Sequence, residues 1–170
     1  SFVDGAVEFR NSDLTRIVGY YRPSLRGEPL PHLLANDGRC FFGNTWMIRR
    51  EPSVSYRFDT DLTHGEDLMF YITIANERLY DHTDEVVLWY RRSGNTLMTD
   101  LHGLENSYAR MYTKIRQLHY LGPARRWRFK SRIIRFMMLG YLKYERSPWQ
   151  ALRVMFRYML MFPKAVKTRS

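Results

Sequence analysis

The run His64-Gly65-Glu66-Asp67-Leu68-Met69-Phe70-Tyr71-Ile72-Thr73-Ile74-Ala75 sets two adjacent carboxylates directly after a glycine. Beyond them Leu68, Tyr71, Ile72, Ala75 and Leu79 recur at helical spacing, which predicts a helix over about Gly65 to Arg78. Unpaired backbone N–H groups crowd a first helical turn, and the dipole there favours an ionised carboxylate that stands ready to accept a proton. Acidic residues in that turn are also ordinary helix-start chemistry, so the local pattern carries two readings, proton transfer and helix stabilisation.

Outward from this helix the chain alternates. Val86 to Arg91 is a continuous apolar run ending in arginines, and Phe2, Val3, Ala6, Val7 and Phe9 mark a first strand. Tyr20 to Pro31, with Pro23, Gly27, Pro29 and Pro31, reads as a loop, and Cys40 to Ile48 as another strand. Strand, helix and strand in this order predict an α/β sheet with helices packed on it, with site loops at the strand ends.

The flanks of the acidic helix carry a second signal. Before it run Cys40-Phe41-Phe42-Gly43-Asn44-Thr45-Trp46-Met47-Ile48-Arg49-Arg50-Glu51 and Phe58-Asp59; after it run Val86-Val87-Leu88-Trp89-Tyr90-Arg91-Arg92-Ser93-Gly94-Asn95-Thr96-Leu97-Met98. In this order and spacing the chain resembles the acceptor-binding half of a family 2 glycosyltransferase. That is the inverting GT-A type, which includes many bacterial capsule and O-antigen enzymes. The resemblance covers about residues 38 to 100 well and the rest loosely.

The resemblance implies the C-terminal portion of a GT-A, Rossmann-like mixed sheet, and transfer of a sugar from a nucleotide-sugar donor to a saccharide acceptor with inversion, in surface polysaccharide synthesis. Asp67 matches the family's general base, and Glu66 orients the acceptor or anchors the loop, with helix-start stabilisation as the plainer role. Gly43, Asn44 and Thr45 are placed for donor or acceptor contact: the glycine lets backbone approach a sugar, and the amide can bond its hydroxyls. A strand glycine also marks bulges and tight packing. Trp46 either stacks on a sugar or, as strand aromatics more commonly do, fills the core.

Arg91 and Arg92 end a strand, where a guanidinium fork can meet diphosphate oxygens; surface arginines beside a sheet are the competing reading. Arg49 and Arg50 resemble the family's paired arginines, in structural pairing or phosphate contact. Many family members place a metal-holding histidine just after the Tyr-Arg segment. Ser93 stands there in this chain, so no metal ligand is assigned to these residues. A divalent cation, Mg or Mn, is expected for a full-length enzyme, held by an Asp-x-Asp in an N-terminal half that this chain lacks. Asp59-Thr60-Asp61 has that spelling but follows the paired-arginine strand, so it is not read as the metal motif. The chain is expected to be a piece of a longer protein and catalytically incomplete alone.

Composition adds limits. With 170 residues, 45% hydrophobic and 15% aromatic, the chain has enough for a folded core. Cys40 is its only cysteine, which excludes an internal disulfide, and the five histidines show no close metal-ligand spacing. No start resembling a secretory signal is present.

Charge divides the chain. Residues 1 to 103 carry 11 Lys and Arg against 15 Asp and Glu, whereas residues 104 to 170 carry 16 against 2. The first part is expected to be the acceptor side of the catalytic domain, and the second a basic helical region that meets something anionic. Three helices are predicted there. Leu104 to His119 carries Leu104, Tyr108, Met111 and Ile115 on one side, Arg126 to Arg146 mixes aromatics with arginines, and a third starts at Pro148. The apolar side of the third is read as Trp149, Leu152, Met155, Phe156, Met159 and Leu160.

Arginines interrupt every apolar run before the roughly 18 residues a spanning helix needs. Basic amphipathic helices rich in Trp, Phe and Met suit the headgroup plane of an anionic membrane, or else pack on the first domain with their arginines in solvent. The implied enzyme is thus cytoplasmic, peripheral on the inner face of the cell membrane, with a lipid-linked acceptor. Nucleic acid is not expected as a partner, for want of a helix-turn-helix, RNP or zinc-finger pattern. The rival reading is a non-catalytic module whose basic amphipathic helices bind membrane or nucleic acid.

Overall fold

The structure, a computed structural model, describes residues 1–43, 45–92 and 100–160. Strand β1 (Phe2–Arg10) organises the sheet. It pairs in parallel with β4 (Tyr80–Arg91) along its whole length, and antiparallel with β2 (Ile17–Tyr21) through Val7 to Arg10 and with β3 (Met47–Ile48) through Phe2 and Val3. With β4 taking one edge, β2 and β3 share the other. Placed between them, β1 is buried at nearly every position from Phe2 to Glu8. The β1–β4 register slips between Asp4 and Ala6, and Gly5 sits at the slip; a Cβ there would collide with both methyl carbons of Val87.

Five α-helices accompany this small open sheet among the described residues: α1 (Leu30–Ala35), α2 (Glu66–Ile74), α3 (Leu101–Gln117), α4 (Pro123–Gly140) and α5 (Pro148–Leu160), with a π-helical turn, Tyr141–Glu145, continuing α4. The molecule is therefore mixed α/β. One contiguous apolar cluster runs from Phe2 and Leu33 through Ile72 and Met111 to Phe129 and Val154. It draws on residues either side of position 104, which falls within α3.

Several elements differ from the sequence reading. The expected strand from Cys40 is confined to Met47–Ile48, because Gly43 takes a φ of +141° and Trp46 Nε1 donates to the Cys40 carbonyl at 2.7 Å, closing the segment into a loop. The Tyr20–Pro31 loop gives way to β2 at its start and α1 at its end, where Pro31 occupies the first turn and needs no intrahelical donor. Helix α2 stops at Ile74, so Leu79 is not on it and is exposed. Strand β4 begins at Tyr80 rather than Val86.

The last helix turns the opposite way from expectation. Helix α5 buries Ala151, Val154 and Tyr158, and Trp149, Leu152, Phe156, Met159 and Leu160 face outward. The cause is a buried carboxylate on α3. Glu105, 2% exposed, accepts from Arg153 at 2.8 Å, from Arg157, and from the Tyr141 hydroxyl at 2.7 Å, while its carbonyl accepts from the Tyr158 hydroxyl at 2.9 Å. A buried charge must be paired, and Arg153 and Arg157, which pair with it, lie on the flank of α5 that includes Tyr158. That requirement fixes the roll of the helix.

Candidate active site

The site is built where the loop 40–46 meets the first turn of α2. Gly65 caps α2 in the left-handed region, φ +72°, with no side-chain cap, so Glu66 and Asp67 supply the negative charge that the first turn favours. Both are half-buried. Asp67 Oδ1 accepts from the Leu68 amide at 2.6 Å, and Oδ2 faces Gly43, where an added Cβ would lie only 3.2 Å away. The structure thus brings Gly43 and Asp67 together. Asn44 lies outside the described residues, and Thr45 next to it has a buried hydroxyl with no hydrogen-bond partner among them.

Asp67 is a strengthened base. Burial raises its carboxyl above the ordinary value and the charge of Glu66 adds to this, outweighing the opposing bond from the Leu68 amide. One turn on, the Tyr71 phenol is pushed up to about 12 by burial and by Asp67. Tyr71 packs on Trp46 with ring centroids 4.4 Å apart, and Trp46 also packs on Phe2 and Tyr80. Trp46 is a core residue, 8% exposed.

Arg91 and Arg92 sit at the carboxyl ends of the parallel pair β1 and β4, where open α/β sheets present ligand sites. Arg92 lies over the Phe9 ring at 4.2 Å, and Phe9 packs on Phe42, the neighbour of Gly43. One aromatic step therefore separates Arg92 from the loop at Asp67. Arg91 is exposed and opposite Arg10 in the register. Sequence reasoning missed Arg10, which pairs with Glu8, donates to the Leu14 carbonyl at 2.9 Å and stacks over Trp89 at 3.8 Å. Its signal was available: an arginine closing an apolar strand, as in Arg91.

Other residues prove structural. His64 is buried. Its Nδ1 pairs with the Thr63 hydroxyl at 3.0 Å, and Thr63 in turn bonds Ser107 on α3 at 3.0 Å. Asp59 and Asp61, the Asp-x-Asp spelling, both pair with Lys114 at 2.6 and 3.0 Å, tying that loop to α3. The Cys40 thiol is pushed up to about 12 by burial, with Asp37 and Asp4 adding to it, so it stays protonated and is no nucleophile at neutral pH. Asp4, buried near the start of β1, accepts from the Tyr80 hydroxyl at 2.6 Å and from the Gly5 amide at 2.8 Å, a closed arrangement that holds β1 to β4.

Among the described residues no three His, Cys, Asp or Glu side chains come together as a group that could hold a metal ion. No family model matches the chain, and no curated protein or solved structure is significantly similar to it.

Proposed function

We propose that this chain is the acceptor side of an inverting, GT-A-type glycosyltransferase that moves a sugar from a nucleotide-sugar donor to a lipid-linked saccharide at the cytoplasmic face of a membrane. The observation that carries the reading is the half-buried Asp67 carboxylate, raised in basicity, with Oδ2 turned to the bare backbone of Gly43. A glycine there leaves room for a substrate hydroxyl beside the carboxylate. The order of the segments from Cys40 to Met98 supports the family reading.

In this reading the acceptor hydroxyl gives its proton to Asp67 Oδ2 as its oxygen bonds to the anomeric carbon. The bond from that carbon to the nucleoside diphosphate breaks, and the pair of electrons leaves on the diphosphate. A base near the operating pH and positive charge at the departing group are what such a step needs. Arg92, and Arg91 beside it, supply that charge at the strand ends, and Glu66 orients the acceptor. The nucleotide and any divalent cation are bound by a preceding donor half. Exposed apolar side chains on the sheet, among them Met47, Val87 and Trp89, support a reading in which that half covers them.

The test uses the full-length protein with nucleotide-sugar donors and a membrane-extracted acceptor. Asp67→Asn is expected to lower transfer by about 10²- to 10⁴-fold, the usual range for a lost general base, with donor binding kept. Turnover within a few fold of wild type removes Asp67 from the role. Absence of any transfer by the wild-type protein favours the rival reading, a binding module built on the basic helices.

A further inference from the structure

The outward roll of α5 leaves a surface with no covering element among the described residues. Trp149 is 74% exposed, Phe156 56% and Leu160 73%, and on α4 and the turn after it Trp127 is 56%, Leu139 55% and Tyr144 53%. A groove of about 450 Å³ between the two helices is lined by Trp127, Ile134, Met138 and Leu142 from the α4 side and by Met155 and Met159 from α5, and a second hollow on α5 is lined by Trp149, Leu152 and Phe156.

The charge around this face is of one sign. Arg135 lines the groove, Arg153 and Arg157 line the hollow, and Lys143 and Arg146 follow on the connecting turn. Residues 104 to 170 hold only two acids: Glu105, buried on α3, pairs with Arg153 and Arg157, and Glu145 lies on the connecting turn, while no ion pair is found for Arg135, Lys143 or Arg146 among the described residues.

We propose that this face, from Trp127 on α4 to Leu160 on α5, seats in the headgroup layer of an anionic bilayer. Its make-up fits that occupant better than a protein partner. Tryptophans with an apolar body and a polar edge, flexible Met and Leu between them, and a cationic rim are the arrangement that an amphipathic helix uses in the plane of the interface. Each Lys or Arg near an anionic surface adds attraction that falls off within a Debye length. Glu105 serves this surface by pinning Arg153 and Arg157, so that α5 cannot roll its aromatic stripe inward. The inference deepens the membrane part of the reading above and rests on it for the lipid-linked acceptor, but vesicle binding itself needs no sugar.

Co-sedimentation of the 170-residue chain with phosphatidylglycerol and with phosphatidylcholine vesicles tests it, at low and high salt. Binding is expected on the anionic vesicles, weakened by salt, and lowered at least about tenfold by Trp149→Glu with Phe156→Glu, both exposed side chains whose replacement leaves the core intact. Met47→Glu, an equally exposed apolar position on β3, is expected to bind as wild type, and so is Asp67→Asn. Equal binding to both lipids at every salt, or no effect of the double substitution, overturns the proposal. So does a concentration-dependent dimer that the double substitution dissolves in the absence of vesicle binding, which assigns the face to a second copy. If deletion of residues 161–170 is what first allows vesicles to bind, the face belongs to that segment and the proposal falls. Vesicle binding without sugar transfer leaves this proposal standing and rejects only the enzyme reading.

Discussion

Asp67 Oδ2 faces the backbone of Gly43 closely enough that a Cβ at that position would lie 3.2 Å from the carboxylate oxygen. Gly43 also holds a φ of +141°, a region nearly closed to other residues. Gly43→Ala therefore meets two costs at once. It is expected to destabilise the fold by about 1–3 kcal/mol in urea unfolding, and to lower sugar transfer in the full-length enzyme beyond what the folded fraction explains, because the methyl fills the space left for the acceptor hydroxyl.

Gly65 separates stability from the site. Its φ of +72° caps α2, and an added Cβ would meet Met111 Cε at 2.7 Å. The end of a methionine side chain can move aside, so the backbone conformation dominates the cost. Gly65→Ala is expected to cost about 1–2 kcal/mol, read as a lowered urea midpoint with an unchanged slope. A wholly neutral substitution would mean that α2 can start elsewhere.

Glu105 is the clearest single point of failure in the helical half. Its side chain is 3% exposed, while Arg153 and Arg157 are 40% and 41% exposed and can be rehydrated when it is lost. Breaking a fully buried pair costs about 3–5 kcal/mol, and rehydration of the arginines lowers that. Glu105→Gln is expected to cost about 2–3 kcal/mol and to release α5 first, which amide exchange along residues 148–160 will show as lost protection. The Tyr141 phenol, held up to about 12 by burial and by its bond to Glu105, should titrate lower in the variant.

The order of elements was legible because it rests on local signals: the helical spacing after Asp67, the apolar run to Arg91, and Pro148 at a helix start. What failed depended on partners far away in sequence. The Cys40–Ile48 run has strand composition, but the bond from Trp46 Nε1 to the Cys40 carbonyl and the conformation of Gly43 fold it into a loop. Helix α5 has two apolar stripes. Hydropathy selects the larger one, with Trp149 and Phe156, whereas the fold buries the smaller, with Ala151, Val154 and Tyr158, because Glu105 needs the arginines on that flank. At the site, sequence supplied Asp67 and Gly43 as separate motifs; that they touch is a tertiary fact.

The raised carboxyl of Asp67 makes it a liability to the fold that Asp67→Asn removes. Burial lifts the folded-state carboxyl above its ordinary value of 3.8, with Glu66 adding to the shift. Between the ordinary value and the raised one, the folded state holds the proton more tightly than the unfolded state. Stability is then lost as pH rises through that window and stays lower above it, since stability rises with pH only where the unfolded chain binds more protons. The asparagine does not titrate and escapes this loss. Asp67→Asn is therefore expected to have a higher urea midpoint than wild type at pH 7, a difference that narrows and closes as pH falls below the ordinary carboxyl value, while the Leu68 amide keeps a partner in the side-chain oxygen. A variant less stable than wild type at pH 7 would mean that the bond from the Leu68 amide outweighs burial and that Asp67 is not a strengthened base.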